Sequence, residues 1–157
     1  MNKNWKTYVF WIALAEGVGG LAALLTRSGV EQYNAVAVKP PLEPPSWVFP
    51  VVWAILYALM GISAARVSLT ENTESRTRGL NLFAVQLAMN FLWSLLFFNY
   101  RAYGWALVLL ILLWVVIAWM ILEFWRADKA AGWLQVPYLI WVSFAIFLNF
   151  WVWRFNG

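Results

Sequence analysis

Lys39-Pro-Pro-Leu-Glu-Pro-Pro-Ser-Trp-Val-Phe-Pro-Val-Val-Trp-Ala-Ile-Leu-Tyr57 decides how the rest of the chain is read. It starts as a proline-set connector and ends as an apolar, aromatic helix. Five of the six prolines in the chain stand here, at 40, 41, 44, 45 and 50. Each fixes its own φ and pushes the preceding residue to extended geometry. A connector built this way loses little entropy when it covers something. The run that follows, from Val48 to Ala65, is long enough to cross a bilayer. The pair reads as a lid leading into the wall of a pocket.

Composition sets the solvent. Of 157 residues, 64% are hydrophobic and 11% charged, whereas a soluble domain is about half apolar and about a quarter charged. One water-soluble core of this size could not hide so much apolar surface. The 13 Trp exceed what interfacial belts require, so several are expected to line a cavity. There is no Cys and no His, which excludes disulfides, thiol chemistry, the usual zinc sites and His-ligated haem. It also removes the commonest general base. The net charge of +4 is spread over termini and loops. No basic run resembles a nucleic-acid surface, and the balance suits anionic lipid headgroups.

Five apolar runs follow in order, giving an all-α membrane bundle in one domain over residues 1–157. The spans fall at about 8–25, 47–65, 80–98, 105–122 and 133–153. The first contains Ala13-Leu14-Ala15, which mimics a signal-peptide cleavage site, but its apolar run continues to Leu25 and favours a retained helix. Glu16 sits near its middle, where a carboxylate is costly. It reads either as a protonated or hydrogen-bonded Glu facing the bundle interior or as a site residue. Ala13, Gly17 and Gly20 form a small-residue stripe for another helix. Arg27 to Ser46 reads as the first and longest loop. On the second span, Phe49, Trp53, Leu56 or Tyr57, and Met60 recur at helical spacing. Ser68 to Gly79 reads as a solvated loop.

The third span carries Gln86, Asn90 and Ser94 every four residues, with Trp93 and Phe97 adjoining. Amides in lipid must face protein or a cavity. Interhelical hydrogen bonds and ligand contact are both open readings. Ala84 and Ala88, on another face, make a candidate helix or dimer contact. Trp105 to Leu122 is wholly apolar and reads as mostly lipid-facing. Glu123 to Gly132 reads as a short charged loop. Pro137 kinks the fifth span or caps its start. There Trp141, Phe144 or Ala145, and Leu148 or Asn149 share a face, for a pocket or for core packing. An odd span count with no repeat argues against a two-repeat transporter. Lys3, Lys6, Arg66, Arg76, Arg78, Arg126 and Lys129 fall on one side, against Arg27, Lys39, Arg101 and Arg154 on the other. Positive-inside counting then places the N-terminus in the cytoplasm and the proline loop outside.

Three segments together resemble the tryptophan-rich sensory proteins, whose mitochondrial relative is the translocator protein or peripheral benzodiazepine receptor. They are Lys39-Pro40 with Pro44 to Tyr57, Gln86 to Phe98, and Pro137 to Asn149. The resemblance covers essentially the whole chain. It implies a five-helix membrane bundle, often a homodimer; a bacterial membrane is the expected location. It also implies a cavity beneath the first loop that takes porphyrins, haem and isoquinoline- or benzodiazepine-type drugs. Protoporphyrin IX or haem would be the ligand, and no cofactor is required.

Carried over by motif, the ligand-binding residues are Tyr33, Pro45, Trp53, Tyr57, Gln86, Asn90, Trp93, Trp141, Phe144 and Ala145. Arg27 and Lys39 are candidates for pairing with the porphyrin carboxylates, or else snorkel at the interface. Without His or Cys the macrocycle is expected to bind without strong metal ligation. Leu42 stands where the family has an aromatic, Glu16 matches no family position, and Tyr138 has no Lys or Arg close behind it for a sterol motif. A light-dependent porphyrin-degrading enzyme, with Trp53 and Trp141 redox-active, is a second reading. A small-solute transporter and a purely structural membrane partner are the others.

Overall fold

The computed structural model describes residues 4–156; Lys3, counted above, lies outside them. Seven helices make up the bundle: α1 (Asn4–Leu25), α2 (Arg27–Val36), α3 (Val48–Ser68), α4 (Glu74–Ser94), α5 (Tyr103–Ala127), α6 (Lys129–Leu134) and α7 (Val136–Asn156). Five segments are long and apolar enough to span a membrane: α1, α3, α4 with the π turn Leu95–Asn99 that extends it, α5, and α6 with α7. The chain is therefore a multi-pass membrane protein of the all-α class.

The boundaries correct the sequence reading in four places. The first loop is not all loop, because Arg27–Val36 is helical. Proline is absent until position 40, so nothing stops a helix there, and Gly29 and Tyr33 give it a buried face. An added Cβ at Gly29 would lie 2.6 Å from the Phe98 carbonyl oxygen. Glycine is what lets α2 rest on that backbone. Only the stretch 37–47 is the extended, proline-set cover.

The other corrections share a cause: polar residues at the membrane surface continue helices instead of ending them. α4 begins at Glu74, with the Thr73 hydroxyl accepting from the Arg76 N–H. α5 runs past Leu122 to Ala127, so Glu123 is a buried helical residue. Asp128 then caps α6 by accepting from the Ala131 N–H at 3.1 Å. α6 and α7 meet at Gln135, so Pro137 sits in the first turn of α7, where its missing N–H costs nothing.

The stripe of Ala13, Gly17 and Gly20 does not receive another helix either. All three are exposed, and a Cβ at Gly17 or Gly20 would meet nothing within 4 Å. The close approach of α1 to α3 is made elsewhere. A Cβ on Gly61 would stand 2.4 Å from the Ile12 Cα, and one on Gly19 would stand 2.4 Å from the Tyr57 ring. Ala84 and Ala88 point away from the bundle.

α5 is the central strut, packing on both α4 and α7. One face buries Leu110, Leu113, Ile117, Met120 and Phe124. Its other face shows Trp105, Val108, Ile111, Leu112, Val115, Trp119 and Leu122 to the surroundings, as its apolar run predicts for lipid. The core gathers toward the end of the bundle that carries Arg66 and Asp128. There Phe83 stacks on Phe124 with centroids 6.2 Å apart. At the opposite end the helices part, and the cover lies across the gap.

Candidate functional site

The gap is a cavity of about 530 Å3, within the size range of small-molecule sites. Phe49, Pro50, Trp53, Ala54 and Tyr57 of α3 form one wall. Asn90, Trp93, Ser94, Phe97 and Phe98 of α4 and its π turn form another. α7 adds Trp141, Ala145, Leu148 and Asn149, while α1 adds Glu16, Gly19, Gly20, Ala22 and Ala23. Tyr33, Glu43 and Ser46 close it from the cover side.

Hydrogen bonds fix the polar members of these walls. Asn90 Nδ2 donates to the Tyr138 hydroxyl at 2.8 Å, and that hydroxyl donates to Gln86 Oε1 at 2.6 Å. All three residues are buried. The three-residue chain ties α4 to α7 beneath the cavity. Each such bond between membrane helices contributes about 0.6–2 kcal/mol. Trp93 Nε1 donates to Asn149 Oδ1 at 3.0 Å, and Asn149 Nδ2 donates to the Tyr103 carbonyl at 2.9 Å. The Trp93 indole is thus held edge-on to α7, and its ring stacks on Phe97 with centroids 5.1 Å apart. Trp53 and Trp141 stand perpendicular, 6.4 Å apart, across the α3–α7 side. Such rings offer flat apolar faces whose orientation is already set.

The cover is anchored at its middle and at its start. Tyr33 Oη donates to Glu43 Oε1 at 2.6 Å, and Lys39 Nζ lies 5.4 Å from the centre of the Tyr33 ring. Burial first, and then the Glu43 carboxylate, push the Tyr33 hydroxyl well above the ordinary phenol range. It therefore remains a proton donor at any physiological pH. At its start the Val38 N–H donates to Asn156 Oδ1 at 2.7 Å, and Asn156 Nδ2 donates to the Val38 carbonyl at 2.8 Å.

The structure brings Tyr33, Trp53, Tyr57, Asn90, Trp93, Trp141 and Ala145 onto one cavity, with Arg27 at its mouth. Three residues expected to contact a ligand are placed otherwise. Gln86 lies below the cavity, with its side chain committed to Tyr138 and, at 3.9 Å, to Met60 Sδ. Pro45 is exposed on the cover. Phe144 packs against Trp141 and Phe147 rather than lining the space. Lys39 faces Asn34 at 2.8 Å and Glu43 at 4.0 Å. Sequence reasoning missed Glu43 and Tyr138. A partnership across ten residues of loop, or between helices far apart in sequence, has no local periodicity to announce it. Asn149 carried a signal, as an amide set among apolar residues in the body of α7.

A family model described as TspO/MBR matches residues 11–154. The chain belongs to the TspO/MBR family. It is similar to the tryptophan-rich protein TspO of Chlorobaculum tepidum, at 40% identity over 157 residues and 99% of each chain. It is 46% identical over 119 residues to Protein CrtK of Rhodobacter capsulatus, covering 75% of this chain and 74% of that one. With the translocator protein of Bos taurus it shares 34% identity over 158 residues, 99% of this chain and 94% of that one. Both bacterial and mammalian members of the family are thus matched by one aligned five-span chain.

Proposed function

We propose that this membrane protein binds a tetrapyrrole, protoporphyrin IX or haem, in the cavity beneath the proline-set cover, and acts as a sensor, scavenger or carrier of it. The observation that carries this reading is one cavity of about 530 Å3 walled by Trp53, Trp93 and Trp141, with the Arg27 guanidinium at its mouth. A porphyrin is a broad π surface with two carboxylates. Indole faces stack on the ring, each pair adding about 0.5–1.5 kcal/mol beyond area burial. The Arg27 guanidinium would exchange its exposed 3.9 Å pairing with Glu31 for a porphyrin carboxylate. The Lys and Arg balance of the loops supports a cytoplasmic N-terminus, and the outward face of Ala84 and Ala88 is where two copies would meet.

The test is tryptophan fluorescence of the purified protein in detergent, titrated with protoporphyrin IX in the dark and corrected for inner-filter loss. Saturable quenching is expected at micromolar ligand, with Trp53→Phe and Trp141→Phe each weakening binding several-fold. Linear quenching that ignores both substitutions would sink the reading, since it reports partitioning into detergent. Sidedness is checked separately. The chain has no Cys, so a single Cys introduced at Ser46 should react with an impermeant thiol reagent from outside, and one at Thr70 should not.

A further inference from the structure

The charged groups on the cavity wall are Glu16, Arg27, Glu31 and Glu43. Three have partners. Arg27 and Glu31 pair with each other at 3.9 Å on the outer surface. Glu43 accepts from Tyr33 at 2.6 Å and stands 4.0 Å from Lys39. Glu16 has neither a hydrogen bond nor an ion pair among the described residues. It is the thirteenth residue of the 22-residue α1, hence close to mid-membrane. A carboxylate at that depth with no partner costs about 2–4 kcal/mol on insertion scales.

The wall beside it is built to admit something. Gly20, one turn on from Glu16, lines the same surface, and a Cβ added there would meet nothing within 4 Å, whereas Gly19 is packed against the Tyr57 ring. The space next to the carboxylate is therefore open, while Trp53, Trp93 and Trp141 offer flat apolar faces to the same cavity. An acidic group on the wall of an aromatic cavity attracts a cation that is itself flat and apolar, and repels an anion.

We propose that Glu16 makes this cavity a site for flat aromatic amines in their protonated form, the ammonium or ring N–H donating to the Glu16 carboxylate at the deep end while the ring lies among the tryptophans. The inference rests on the same cavity as the tetrapyrrole reading and adds a second ligand class to it. It also disfavours any tetrapyrrole pose that brings a carboxylate against Glu16. Glu16 thereby sets charge specificity.

The test uses the full chain in detergent near neutral pH, with two probes of one ring system: proflavine, which is cationic there, and acridine, which is neutral. Glu16→Gln keeps shape and hydrogen-bonding capacity and removes only the charge. The expected result is that Glu16→Gln weakens proflavine by about tenfold to a hundredfold, the range of a charge-assisted hydrogen bond out of water, and changes acridine by less than about twofold. Equal loss of both probes, or loss of neither, overturns the proposal. Protoporphyrin IX titrated against the same two proteins keeps the readings apart. If it saturates while proflavine ignores Glu16→Gln, only the amine site fails. If proflavine depends on Glu16 but protoporphyrin never saturates, only the tetrapyrrole reading fails.

Discussion

The two ends of this bundle are built from different residues and behave as opposites. At the end that carries Arg66, Ser63 Oγ donates to the Ala131 carbonyl at 2.7 Å and Arg66 Nε to Asp128 Oδ2 at 2.6 Å. Buried Glu123 is gripped by Arg78 at 2.7 Å and Arg126 at 2.9 Å. Between these bonds Met60, Ala64, Phe83, Met120 and Phe124 leave almost no exposed area. At the other end the α3 and α7 positions are Trp53 and Trp141, and the helices stand apart. Small, aliphatic and stacked phenyl side chains close a bundle. Indoles that are pinned by their own contacts prop it open.

The largest effect is expected where closure depends on a missing side chain. Gly61→Leu must push α1 away from α3, because the first added atom alone would stand 2.4 Å from the Ile12 Cα. Overpacking of this kind costs about 1–3 kcal/mol, and occasionally more. Gly20→Ala, on the open wall, should stay within about 0.5 kcal/mol of the parent. Reversible unfolding in mixed micelles measures both, and equal costs would erase the distinction between the two ends.

Next in size is the floor between them. Tyr138→Phe strips the one hydroxyl that satisfies both Asn90 and Gln86. The loss should be about 1–3 kcal/mol, the cost of leaving buried polar groups unmade. It should also loosen Asn90 in the cavity. A substitution that costs nothing would mean the two amides find other partners.

The propped end should tolerate change better than it binds. Trp141→Phe is expected to move unfolding by less than about 1 kcal/mol while weakening protoporphyrin by about 1 kcal/mol, the scale of one ring contact. If stability falls and binding holds, Trp141 is packing rather than wall.

The smallest effect is that of pH on the closed end. The Arg66 hydrogen bond, helped by the Ala131 N–H, holds the Asp128 carboxyl below the usual carboxylate range. A depressed pKa means the native state favours the charged form. Its stabilisation is therefore present above the ordinary Asp pKa of about 4 and is lost as pH falls through the lower native value. Melting should be flat in this contribution from neutral pH down to about 4 and decline below it. The amplitude should stay under about 1 kcal/mol because both side chains are partly exposed. Asp128→Asn should abolish that decline.

Much of this was legible in the sequence. Five apolar runs gave five spans, since length and hydropathy are one-dimensional. Trp53 and Tyr57, four apart, and Trp141 and Ala145, four apart, reach the cavity together because helical spacing alone places each pair on one face. The stripe of Gln86, Asn90 and Ser94 was legible as a face but not as a role. The register of α7 decides that Tyr138 captures Gln86 and leaves Asn90 at the cavity edge. Small residues misled on α1. Gly17 and Gly19 look alike in a list, and only the approach of Tyr57 distinguishes them. Polar stretches misled at helix ends, where Thr73 and Asp128 cap helices that composition had assigned to loops.

The pairing of Val38 with Asn156 has one further consequence. Asn156 is the last residue of α7, and Trp141 lies fifteen positions before it on the same helix. At 1.5 Å per residue that is a stiff rod of about 22 Å, with a cavity wall near one end and the clasp of the cover at the other. Any tilt of α7 at the wall is delivered to the clasp as a displacement. Variants that shift α7 should therefore be read at Val38 as well as at Trp141, since the two positions are the ends of one lever.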